Sequence, residues 1–227
     1  MKKLFAYFTK VELIIWSVSV LMIFASFLIS QDGGYLGLVA SLFGVTALIL
    51  CAKGNPVGQM FMIVFCCIYT YISYTFSYYG EMITYACMSL PMVIFSLVSW
   101  LRHPFKGNAA EVKVNRLKSK EYAFMLLLNL AVTVAFYFIL KAFDTANLLV
   151  STFSITTSFG AAYLTMRRSP YYALWYAAND IVLIVLWTLA AIKDISYVSV
   201  IICFAAFLIN DIYGFISWRK MEKRQSQ

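Results

Sequence analysis

Apolar residues fill the chain in eight runs of about 20, each closed by a short cluster of Gly, Pro, Asn, Asp or charged residues. A helix needs about 20 consecutive apolar residues to cross a bilayer. The runs therefore predict membrane-spanning helices over roughly 11–30, 35–52, 58–78, 82–101, 121–142, 147–167, 171–192 and 197–218. The breaks read "SQDGGY", "KGNPVG", "YYGEM", "HPFKGN", "KAFDTAN", "RRSP" and "KDIS", which are turn-forming compositions. Long alternating polar and apolar strands are missing, which argues against a β-barrel. The first run follows Lys2, Lys3 and Lys10 as a signal peptide's would, but "SFLISQDGG" offers no small-x-small cleavage site. It reads as a retained helix.

Composition agrees with this pattern. The 227 residues are 63% hydrophobic and 12% charged, with a mean hydropathy of +0.81. A soluble domain is about half apolar and about a quarter charged, so the chain reads as a single transmembrane domain over residues 1–227. Charge then orients it. With eight spans, 16 of the 18 Lys and Arg residues fall on one face, and only Lys141 and Lys193 fall on the other with Asp32, Glu81, Asp144 and Asp194. An excess of Lys and Arg marks the cytoplasmic side, so both termini are expected in the cytoplasm of a bacterial inner membrane. The net charge of +8 is spread over short cytoplasmic connections. It suits contact with anionic lipid and gives no reason to invoke nucleic acid.

The candidate chemistry is sparse. Cys51, Cys66, Cys67, Cys87 and Cys203 all lie inside apolar runs, and the sole histidine, His103, lies beside a loop. That pattern offers neither a disulfide framework nor a metal site. An enzyme would need a nucleophile with a base, or a metal, and neither constellation is present. Neither an enzymatic activity nor a cofactor is expected.

A weak internal repeat organises the spans. "KGNP" (53–56) aligns with "RRSP" (167–170) at an offset of 114, and "FSLVSWLR" (95–102) with "YGFISWRK" (213–220) at 118. Each copy holds three helices, 35–101 and 147–218, with helix 121–142 between them and helix 11–30 outside. An odd-numbered bundle followed by one linking helix gives the second bundle the first one's orientation, a parallel repeat about the membrane normal. The predicted fold is thus an all-α polytopic membrane protein of eight helices. Two parallel three-helix bundles are joined by a linking helix (3+1+3), with an extra N-terminal helix.

Polar residues inside the spans mark the candidate site. In "SPYYALWYAAND", Tyr172, Trp175 and Asn179 recur at i, i+3, i+7 and share a helix face. Asn179 lies about 13 Å beyond Pro170, near mid-bilayer, and Asp180 points about 100° away. Span 197–218 repeats the pair as Asn210–Asp211 at a similar depth. Ser154 and Ser158 lie on one stripe with Ser151, and Asn129 sits four residues before Thr133. A central Asp costs about 3 kcal/mol on insertion scales, so the Asp and Asn residues must meet partners or a wet cavity. Interhelical hydrogen bonding alone is the plainer reading of the Ser and Thr residues, at about 0.6 kcal/mol per contact. An amide above aromatic faces can instead stack a planar ring and read its polar edge.

"YYALWYAAND" resembles the W-x-x-W-x-x-x-N signature of the Pnu-type vitamin transporters, whose best-known members import nicotinamide riboside. The "YGEM" turn before a Pro-containing helix, the Ser/Thr-rich span ending in a basic pair, and "IYGFISWRK" are similar to that family too. Together they cover most of residues 55–220. The signature falls on Tyr172, Trp175 and Asn179, with Tyr172 where the pattern has Trp. The resemblance implies a fold similar to the SWEET sugar transporters. It also implies facilitated diffusion of a non-phosphorylated vitamin, trapping by a cytosolic kinase, and a homo-oligomer such as a trimer. Thiamine and riboflavin are carried by relatives and are alternative substrates. Two further readings stand beside it: an ion-coupled transporter using Asp180 or Asp211, and a membrane scaffold whose polar residues only hold helices together.

Overall fold

A computed structural model describes residues 7–30 and 35–227. Lys2, Lys3, Asp32 and the centre of the first predicted turn lie outside them. Among the described residues, eight helices are long and apolar enough to cross a membrane. They are α1 (Lys10–Ser30), α2 (Tyr35–Ala52), α3 (Val57–Thr75), α4 (Tyr79–Leu101), α5 (Ser119–Ala142), α6 (Leu148–Met166), α7 (Tyr172–Ala191) and α8 (Val198–Gln225). The all-α polytopic expectation is met. A capping box opens α1: the Thr9 N–H donates to Glu12 Oε2 at 2.7 Å, and the Glu12 N–H donates to Thr9 Oγ1 at 3.2 Å. These bonds satisfy donors that a helix start leaves open.

Helices α3 and α8 end away from the sequence reading, and α4 holds an irregular turn, each for a local reason. Helix α3 stops at Thr75 rather than 78, because Ser77 takes a left-handed φ of 60° and the Tyr78 N–H folds back to the Ser73 carbonyl. Helix α4 runs unbroken through Pro91. It passes through a π turn, Thr84–Ser89, where the Leu90 N–H reaches the Tyr85 carbonyl five residues back. A proline withholds its N–H from the carbonyl four residues before it, and a π turn absorbs such a slip in register. Helix α8 runs on to Gln225 because its polar tail is pinned, with Arg219 and Arg116 both bonding Glu222 at 2.5 and 2.7 Å.

The connection after α4 holds a short hairpin, Pro104–Phe105 against Asn108–Val112. Lys106 and Gly107 both have positive φ, 49° and 78°, as a two-residue type I′ turn requires. Polarity along this stretch concealed the hairpin.

Helix packing follows the repeat. Helix α2 packs on α3 and α3 on α4; α6 packs on α7 and α7 on α8. Across the middle, α2 meets α8 and α4 meets α6, while α5 packs on α6 and α1 on α8 and α2. The two copies of the Ser-Trp motif make equivalent bonds. Trp100 Nε1 donates to the Thr165 carbonyl and Trp218 Nε1 to the Cys51 carbonyl, both at 2.8 Å. Cys51 and Thr165 are 114 residues apart, the offset of the first anchor. Each tryptophan thus closes its own bundle's third helix onto the end of the other bundle's first. Both rings are fully buried, with centroids 5.4 Å apart.

The ends of α2 and α6 match as well. Gly54 and Arg168, also 114 apart, both have positive φ, 68° and 57°. Their N–H groups return to the Cys51 and Thr165 carbonyls at 2.8 and 2.9 Å. The hairpin and the loop after it bond the two caps, Val112 N–H to the Gly54 carbonyl and Asn115 N–H to the Arg168 carbonyl. Arg168 lies at this turn, where burial and the neighbouring Arg167 pull its guanidinium below the ordinary arginine range.

Candidate functional site

Helix α7 lies between α6 and α8 and shows a different polar residue to each. Asn179 faces α6, where Thr157 Oγ1 donates to its Oδ1 at 2.8 Å in a buried contact. One residue on, Asp180 turns toward α8, where Asp211 is likewise buried. Both carboxyls are at least 95% buried by surface. The 100° step between consecutive helical residues is what sends the amide and the acid to opposite neighbours.

Trp175 lies one turn below Asn179 on the α6 side. A Cβ added at Gly160 would come within 2.3 Å of the six-membered ring of its indole. Gly160 is therefore the floor on which this ring rests, three residues from Thr157 on the same helix. Thr157 with Gly160 and Asn179 with Trp175 together make one ring-and-amide contact between α6 and α7.

The remaining expected site residues divide. Tyr172 lies lower, buried against Trp218 with ring centroids 5.0 Å apart, and it joins the core cluster that holds Trp100. Asn210 turns away from the bundle interior: its Nδ2 donates to Ser19 Oγ of α1 at 2.8 Å and to the Ala206 carbonyl. Asn129 Nδ2 donates to the Thr156 carbonyl at 3.0 Å, and Thr133 and Thr156 share a bond at 3.0 Å. That pair fastens the linking helix to α6. Ser154 and Ser158 donate to the Ser151 and Ile155 carbonyls of their own helix. The structure thus sets Trp175 and Asn179 against α6, buries Asp180 and Asp211 on α7 and α8, and leaves Asn210, Asn129, Ser154 and Ser158 in helix-to-helix or within-helix bonds.

Two groups escaped the sequence reading. Thr157 lies off the Ser151–Ser154–Ser158 stripe marked in the sequence. The other is an aromatic cluster between the halves: Phe65 lies 4.7 Å from Tyr69, 6.1 Å from Tyr85 and 6.3 Å from Phe207, centroid to centroid. Phe65 is the repeat equivalent of Asn179, so that offset held a signal. The first half supplies rings where the second supplies an amide.

Comparison with known proteins agrees with the fold. A nicotinamide riboside transporter, PnuC, from Neisseria mucosa is 26% identical over 99% of this chain and 87% of its own length. Its namesake from Haemophilus influenzae is 23% identical over 88% of this chain and 89% of its own. The crystal structure of the vitamin B3 transporter PnuC superposes with a TM-score of 0.80 at 23% identity, covering 96% of this chain and 94% of that one. These relatives are bacterial membrane transporters rather than enzymes. Residues 34–220 match the family described as nicotinamide mononucleotide transporter, and the chain belongs to that family.

Proposed function

We propose that the protein carries nicotinamide riboside, a non-phosphorylated vitamin, across the membrane by facilitated diffusion. The observation that carries this reading is the wall built by Trp175 on Gly160 and Asn179 on Thr157. An indole face stacks a planar ring. The Asn179 Oδ1 is engaged by Thr157, which leaves its NH₂ to donate to a carbonyl on that ring. The names of the two relatives point to the same substrate.

The family's description names the phosphorylated mononucleotide, but the membrane interior disfavours a phosphate. Away from the span ends, the apolar stretches contain no Lys, Arg or His. A phosphate would enter a low-dielectric region without a counter-charge, a costly transfer. Thiamine has no ring carbonyl to meet the Asn179 NH₂, and riboflavin offers one only on a larger tricyclic ring. Trapping by a cytosolic kinase, a homo-oligomeric assembly and cytoplasmic termini complete the reading.

Uptake into proteoliposomes tests it. Nicotinamide riboside should equilibrate without a proton or sodium gradient, and Asn179→Ala should abolish uptake while the protein still inserts. Undiminished uptake by that variant would sink the assignment. Uptake that collapses when the gradient is dissipated would replace diffusion with ion coupling.

A further inference from the structure

The turn that ends α6 holds an arginine for which the fold has little use. Arg168 takes a left-handed φ of 57°, a conformation that costs free energy for a residue with a side chain and almost none for glycine. The equivalent turn after α2 adopts it with Gly54. Among the described residues, the other non-glycine positions with positive φ are Ser77, Lys106, Asp144 and Asn147. Those are all exposed, whereas Arg168 is only 9% exposed.

Its guanidinium is poorly matched where it lies. A guanidinium offers several N–H donors and no acceptor. Among the described residues, its side-chain bonding is limited to Nη1 donating to the Ser99 carbonyl at 3.5 Å, and the buried Nε meets no acceptor. Lys53, Arg116, Arg167, Arg219 and Arg224 all pair with a glutamate, and Arg168 pairs with none. A buried charge is normally paired or fully hydrogen-bonded. Nor does the turn depend on this side chain. Asn115 holds both carbonyls, its N–H donating to that of Arg168 at 3.0 Å and its Nδ2 to that of Arg167 at 3.1 Å. The Ser99 carbonyl also receives His103 Nδ1 at 2.8 Å. His103 is exposed, so the guanidinium lies just beneath the surface of the basic face.

We infer that Arg168 is an anion-binding residue on the basic face, taking a phosphate group on its unpaired guanidinium. The planar fork of a guanidinium matches two oxygens of a phosphate at once. A bound phosphate would supply the acceptors and the counter-charge that the fold withholds. Two sources carry that chemistry at this face, the headgroup of an anionic lipid and a soluble phosphorylated molecule. The site lies beyond the end of α6 and outside the spans, so it is independent of the substrate reading and of the exclusion of phosphate from the membrane interior.

Thermal unfolding of the full chain in a phosphate-free detergent tests this. Inorganic phosphate and short-chain phosphatidylglycerol are each titrated, with the matching diacylglycerol as the phosphate-free control. At least one phosphate probe should raise Tm in the wild type. Arg168→Gly should need at least about 10-fold more of that probe for the same shift. Lys120→Gln, which removes an exposed charge from the same face, should respond as the wild type does. A response to inorganic phosphate supports a soluble ligand, and a response to the lipid alone supports a headgroup. Without any probe, Arg168→Gly should unfold at or above the wild-type temperature, because glycine relieves the left-handed turn. A ligand-free Tm well below the wild type would instead show that the guanidinium serves the fold, and would overturn the inference. Silence to both probes, a response that Arg168→Gly retains, or an equal loss in Lys120→Gln would overturn it too.

Discussion

Gly160 and Trp175 show how much one missing side chain decides. The indole occupies the volume in which any Cβ at position 160 would stand, and its six-membered ring cannot flex away as a chain end could. Gly160→Ala should therefore displace the ring without altering Trp175 itself. Riboside uptake should fall by at least about 10-fold, because misplacement by about 1 Å is costly in a preorganised site. Near-wild-type initial rates in proteoliposomes would mean that Trp175 does not form the wall of the site. At this scale the sequence was half legible. The i, i+3, i+7 spacing found Trp175 and Asn179, because a fixed helical period determines which residues share a face. It also added Tyr172, which packs against Trp218 instead, since a shared face does not fix what lies opposite each residue along its length. Thr157 and Gly160 belong to a partner helix, and the pairing of two helices leaves no periodic trace in either.

Among the elements, the two Ser-Trp motifs give the clearest consequence. Trp100 and Trp218 make the same bond to equivalent carbonyls of opposite halves. We propose on this basis that residues 35–101 and 147–218 are two copies of one unit, with 121–142 as their link. Trp100→Phe and Trp218→Phe should then destabilise the protein similarly. Each removes one of two hydrogen bonds to a buried carbonyl, since the Gly54 and Arg168 N–H groups remain, at a cost of about 0.5–1.5 kcal/mol. Thermal unfolding in detergent checks this: comparable losses in Tm are expected, and a silent substitution at one position would contradict the equivalence. The spans were legible from hydropathy because the bilayer imposes one length on every helix. The π turn before Pro91, the type I′ hairpin and the tail of α8 were not. Each is set by hydrogen bonds and charge pairs that an apolar count does not register.

For the whole molecule, charge and geometry point the same way. The two halves meet around the Phe65–Phe207 rings, whereas Asn179, Asp180 and Asp211 all lie within the second half. Asymmetry within a repeated frame concentrates the polar chemistry in the second half, on α7 and α8. The account's central claim is that this place binds a non-phosphorylated, carboxamide-bearing ring. The most direct test is calorimetric binding to detergent-purified protein, using nicotinamide riboside, its phosphorylated mononucleotide, thiamine and riboflavin. The account predicts micromolar binding of the riboside alone, lost in Asn179→Ala. Preferred binding of the mononucleotide, or riboside binding undiminished in Asn179→Ala, would contradict it.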